Sequence, residues 1–247
     1  FLCTNGLATA SPHAFSGANF IFFNHALSTN YSDAVVSNNM YVAKQWHIAN
    51  GIPMSKVVAT HYSEIGTNAL PWLLDWGTEY LPIEVPVNTL EYSPPYAPWL
   101  IGGPYRQYET PLQGQTNLPL YYADFLAFPN QPQVDGKFFN CYREMRDAAA
   151  CGQWCPYNNV PASIVDGTAI LKRALDSKVL ATLYSHEPAI QNTPSVPNNQ
   201  PVTSNNWRTI ASGVVSNLAP YEPIYVTLDY GSQYARAART SRILSAT

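Results

Sequence analysis

With 247 residues, a net charge of −3 and only 12% charged side chains beside 46% hydrophobic ones, the chain can bury a substantial core. It cannot present the basic stripe that nucleic acid demands. No run approaches about 18 apolar residues, so no segment reads as a membrane-spanning helix. Asn, Gln, Ser, Thr and Tyr must supply the polar surface, because charged residues stand at about half their usual share. Such a neutral surface, with 17 Tyr and 21 Pro, suits a secreted protein that meets sugars or other neutral polymers. The start on Phe1-Leu2-Cys3 reads as a processed or truncated N-terminus.

The first predicted strand covers residues 20–24 in NFIFFNHALSTNYSD, and it ends in Asn24-His25. Asn30-Tyr31-Ser32 within it is a glycosylation sequon. A helix is predicted over residues 33–51, with Val35, Val36, Met40, Val42, Trp46 and Ile48 as its apolar face and Gly51 as its stop. A strand over 56–60 follows and runs into His61, then a helix from Asn68 to Gly77 with Pro71 early. The next strand, over 80–85, carries Glu84 late. Residues 86–136, rich in Pro, Tyr and Gly, break the rhythm and read as a loop-rich insertion. Cys141, Cys151 and Cys155 cluster behind it. With Cys3 they favour disulfides over zinc, since no CxxC pair and no nearby His is present. The three connectivities remain open. A clear amphipathic helix covers 163–177, and a strand over 179–184 leads to His186-Glu187. Another helix is capped by Asn205 or Asn206. A strand over 223–228 leads to Asp229, and a last helix covers 232–241.

This alternation predicts an α/β chain with a parallel sheet wrapped by helices, organised as one domain over 1–247. The strands are short and apolar throughout, as when both faces are covered. In such folds function collects at the C-terminal strand ends. His25, His61, Glu84, His186, Glu187 and Asp229 all take that position. Each also has an ordinary reading: a histidine bonded to a backbone carbonyl, or an aspartate capping the next helix. Asp75, Glu79, Asp166 and Asp176 read as solvated, and His13 and His47 as ordinary. Imidazoles and carboxylates on one rim suit a divalent metal, zinc above all, and proton transfer near neutral pH. Metal-assisted hydrolysis uses both.

The chain resembles the polysaccharide deacetylases of NodB-homology type, in particular a secreted branch of that family. The blocks APWLIGGPYRQYETP, GKFFNCYREMRDAAACGQWCP, RALDSKVLATLYSHE and PIYVTLDYGSQYARAARTSRI carry the likeness over most of the chain. The resemblance implies a distorted (β/α) barrel that removes acetyl groups from a glycan with metal-activated water. It assigns His25 to the metal and His186, in ATLYSHE, to the general acid. Ser28 or Thr29 stands where the family has its second metal histidine, and the family's early Asp pair has no counterpart before Phe20. The chain is therefore cut before that strand, or uses a rearranged metal set of His25, His61 and Asp229, or has lost catalysis and kept a polymer groove. Glu187 would orient His186 or meet Arg106, Arg143 or Arg236. Tyr62, Trp99, Tyr105 and Tyr230 are candidate sugar-stacking surfaces. The rival readings are an inactive extracellular protein that binds glycan or self-associates, and a glycosidase using Glu84 and Glu187.

Overall fold

In a computed structural model of the chain, the residues described are 5–6, 8–16, 19–20, 31–60, 65–82, 99–100, 123–128, 131–141, 160–176, 181–183, 204–241 and 244. The chain divides into two compact units. One comprises Phe1–Gln107, Pro119–Tyr142 and Val226–Thr247, and the other Tyr108–Leu118 and Arg143–Tyr225.

The first unit is built on a mixed sheet. Strands β1 (Ala14–Ser16) and β2 (Asn19–Phe20) form a small antiparallel pair. Strands β3 (Trp99–Leu100), β4 (Ala123–Ala127) and β5 (Phe139–Cys141) pair antiparallel in the order β3-β4-β5. Parallel bridges carry this sheet further, from Phe139 to Tyr80 and from Tyr80 to Val57; a separate parallel bridge joins Met54 to Ala10. The bonds are regular: Phe139 N–H to the Glu79 carbonyl at 2.9 Å, Val58 N–H to Tyr80 at 3.0 Å, and Ser55 N–H to Ala10 at 2.8 Å. The predicted strands at 56–60 and 80–85 thus meet as parallel neighbours but remain single bridges. Two local causes are visible. The Lys56 carbonyl accepts from both Glu79 and Tyr80, which breaks the register. Pro82 has no N–H to extend the ladder.

Alternation along these segments divides their side chains between two faces. Val58, Leu81, Leu126 and Phe138 are buried with Val36, Met40 and Ala43 of helix α1 (Asp33–Ala49) and Leu70 and Leu73 of helix α2 (Leu70–Asp75). Tyr80, Phe139 and Phe125 form an aromatic row with edge-on contacts at 6.4 and 5.2 Å between ring centres. The C-terminal helix packs against β4 and β5, and its Arg236 lies 4.7 Å over the Tyr80 ring.

Three features depart from the sequence reading. The buried stripe of α1 is Val36, Asn39, Met40, Ala43 and His47, while Val35, Val42, Trp46 and Ile48 are exposed. At 100° per residue those four lie on neighbouring and opposite stripes. His47 is accommodated by donating Nδ1–H to the Ile52 carbonyl at 3.0 Å. Second, residues 222–227 are irregular. Ile224 is 87% exposed, so it lacks the half-buried pleated surface that gives β-branched residues their strand preference. Third, the last helix begins at Leu228, because the Thr227 hydroxyl accepts the Tyr230 N–H and caps it there. Gly51 at φ 61° and Gly77 at φ 78° follow the ends of α1 and α2 as expected.

In the second unit, helix α3 (Val160–Asp176) packs against helix α4 (Ser204–Leu218). Leu171, Ile210, Val214 and Leu218 form the core, with Ile164, Leu175 and Trp207 around them. Helix α4 starts at Ser204, so Asn205 and Asn206 lie inside its first turn and not at its cap. At the far end of α3, Asp176 accepts from Lys172 at 2.7 Å and from the Tyr221 hydroxyl at 2.6 Å. These partners, Lys172 first, hold its carboxyl below the usual range. At Gly213 a Cβ would stand 2.7 Å from Ile164 Cδ1, so the Ile164 side chain must shift to admit one. Gly213→Ala is expected to cost about 1–2 kcal/mol through overpacking despite its better helix propensity, measured as a lower denaturation midpoint. An unchanged midpoint would mean that Ile164 yields freely.

Candidate functional site

The parallel bridges fix a direction. Residues 54–58 and 79–81 run the same way, so the chain leaves both at one end of the sheet. In sequence those exits lead to His61 and to Glu84. At the first exit a histidine appears that the sequence reading had set aside. His13 donates Nδ1–H to the Ala59 carbonyl at 2.7 Å. Such a bond orients the ring, as a bond from the second ring nitrogen orients metal-binding histidines. No spacing motif links His13 to residue 59, so only the tertiary pairing reveals it.

His25, His61, Tyr62, Tyr105, Arg106, His186 and Glu187 lie outside the described residues, as do Glu84, Arg143, the sequon asparagine, and Cys3, Cys151 and Cys155. Trp99 opens β3, opposite Ala127. Tyr230 is exposed in the first turn of helix α5 (Leu228–Thr240).

Asp229 is placed by α5 and not by a strand end. Its Oδ2 accepts the Ser55 hydroxyl at 2.6 Å and its Oδ1 accepts the Lys56 N–H at 2.7 Å. Ser55 Oγ in turn accepts the Val57 N–H at 3.0 Å. The carboxylate therefore ties the start of α5 to the start of the parallel run, the end opposite the exits. It also sits in the first turn of α5, where the helix dipole favours an anion. The carboxylate offered from sequence as a catalytic or metal group makes both of these contacts at the start of α5.

Beside this anchor lies a second cluster. Glu79, read from sequence as solvated, pairs with Lys56 and with Arg236, the latter at 2.7 Å. The Lys56 ammonium, then the Arg236 guanidinium, holds the Glu79 carboxyl below its ordinary value of 4.5, against a partial burial that opposes them. The three side chains line an open groove of about 570 Å³ with Phe125, Gln233, Ala237 and Thr240. A depressed carboxyl stabilises the fold fully above its unfolded value and loses that contribution as pH falls through its folded value. Stability should therefore decline below about pH 4.5, and Glu79→Gln should flatten the decline. The half-exposed pair limits the effect to below about 1 kcal/mol. Melting curves between about pH 3 and pH 6 check it, and identical slopes for the two proteins would exclude the linkage.

Among the described residues, no three His, Cys, Asp or Glu side chains gather as a metal site, and no helix is long and apolar enough to cross a membrane. No protein-family model, curated protein or solved structure matches the chain.

Proposed function

We propose that this chain is a secreted, deacetylase-like carbohydrate hydrolase on a distorted (β/α) barrel of NodB-homology type. The observation that carries the reading is the parallel run of residues 54–58 and 79–81 with α2 between them, which sends the exits toward His61 and Glu84 to one edge. The oriented His13 at that edge supports it, as does the sequence likeness around His25 and His186. In this reading His25 and His61 hold a divalent metal, with zinc the best match to neutral imidazole donors. When bound there, such a metal would make a water acidic enough for acetyl hydrolysis near neutral pH. His186 gives its proton to the departing amine or alkoxide, and Glu187 fixes the ring that does so. Tyr62, Tyr105, Trp99 and Tyr230 offer ring faces to the glycan, and Arg106 a polar contact. Asp229 serves by anchoring α5. The test is acetate release from acetylated oligosaccharides by zinc-loaded protein. Release that chelation abolishes supports the proposal, and none from N- or O-acetylated substrates rejects it.

A second reading is favoured by one observation. Val35, Val42 and Trp46 lie along one side of α1 and are 42%, 37% and 54% exposed, an apolar surface suited to self-association or to binding a neutral polymer without catalysis. Sedimentation distinguishes it: a concentration-dependent oligomer, weakened by Trp46→Ser, belongs to this alternative.

A further inference from the structure

We infer that the groove beside α5 is a binding site for a carboxylate-bearing sugar. The groove residues Lys56, Glu79 and Arg236 are not among those the proposed hydrolytic reading uses, so the inference goes beyond that reading. Charge comes first. Two cations, Lys56 and Arg236, share one anion, Glu79. Asp229 keeps its negative charge but does not line the groove; its oxygens face the Ser55 hydroxyl and the Lys56 N–H. The lining therefore carries an excess positive charge, and the ammonium and guanidinium have more N–H donors than one carboxylate accepts. A second carboxylate is the group that matches this excess, through charge-assisted bonds of the kind Arg and Lys make best.

Preorganisation comes second. The Arg236 guanidinium is held from two directions, by Glu79 at 2.7 Å and by the Tyr80 ring face at 4.7 Å. Its fork is fixed before a ligand arrives, so little rotamer entropy is lost on binding. The remaining wall selects the body of the ligand. Phe125 is partly exposed and held edge-on against the buried Phe139, which gives a rigid ring for the C–H face of a sugar. Gln233 and Thr240 add neutral groups suited to hydroxyls. The volume of about 570 Å³ admits one or two sugar rings. In a chain with so few charges, this groove is built for an anionic sugar more than for a neutral one.

The test is a calorimetric or NMR titration of the full chain with glucuronate and, in parallel, with glucose and with acetate, at low salt. Glucuronate is expected to bind at least about tenfold more tightly than glucose and more tightly than acetate, which lacks the ring. Lys56→Gln and the exposed Gln233→Ala should each weaken glucuronate binding severalfold while the melting temperature stays within a few degrees. Gln233 is exposed on α5, so its variant keeps the test valid if Lys56→Gln unfolds. Equal affinity for glucose and glucuronate overturns the inference, as does equal affinity for acetate and glucuronate. Absence of binding, or unchanged affinity in Gln233→Ala, also overturns it. Acetate release in the earlier assay does not bear on this result, so the two proposals fail separately.

Discussion

His186→Ala is expected to lower acetate release by roughly 10²–10⁴-fold while leaving the metal content unchanged. A leaving amine or alkoxide is a poor leaving group until it is protonated, and an imidazole is the side chain that can deliver a proton near pH 7. The expected signature goes beyond loss of rate. The wild-type profile of kcat/KM against pH should fall on its alkaline limb as the acid is lost, and that limb should vanish in the variant. Substrates with better leaving groups should suffer less from the substitution, because they need less protonation. A variant that loses metal and rate together would move His186 from acid to ligand. A variant with unchanged rate would remove it from the reaction.

Asp229→Ala is expected to destabilise the first unit by about 2–3 kcal/mol. The substitution strips the Ser55 hydroxyl and the Lys56 N–H of a charged acceptor at 2.6 and 2.7 Å, and it removes the anion from the first turn of α5. Loss of the anchor should also loosen Arg236 from Glu79 and from the Tyr80 ring, since all three depend on the seating of α5. At this chain length the melting temperature should fall by roughly 5–10 °C. Asp229→Asn should recover only part of that, because its amide NH2 would face a donor where the carboxylate offers a second oxygen. Ser55→Ala should cost less than Asp229→Ala, since it spares the bond to Lys56. Calorimetry of the three variants orders them. A normal melting temperature in Asp229→Ala with loss of activity would restore the carboxylate to the catalytic set.

What could be read from the residues alone depended on how local the physics was. Helices α3 and α2 were visible because their apolar period, Pro near the start and Gly after α2 are local signals. The position of α1 was equally visible, but its inward face was not. Apolar residues occur on several of its sides, and the buried stripe accepts Asn39 and His47 in place of Val42 and Trp46. The Ile224-Tyr225-Val226 stretch has strand composition, yet a ladder needs a neighbour, and composition cannot supply one. The same limit explains the two charged residues whose roles changed. Asp229 finds its partners 173 and 174 residues away, and Glu79 meets Lys56 and Arg236 from two other parts of the chain. No spacing rule reaches that far, so the sequence alone presents one as a rim carboxylate and the other as a solvated residue. His13 is unmarked in the sequence for the same reason, since its link to Ala59 spans 46 residues.

The central claim is that imidazoles from separate segments converge on one metal at the exits of the parallel run. Elemental analysis of the purified protein beside His25→Ala and His61→Ala tests it most directly. The account predicts about one equivalent of a divalent metal in the parent protein and its loss in both variants, with the fold intact by circular dichroism. A metal-free parent that stays metal-free after dialysis against zinc, or variants that retain the metal in full, would contradict it.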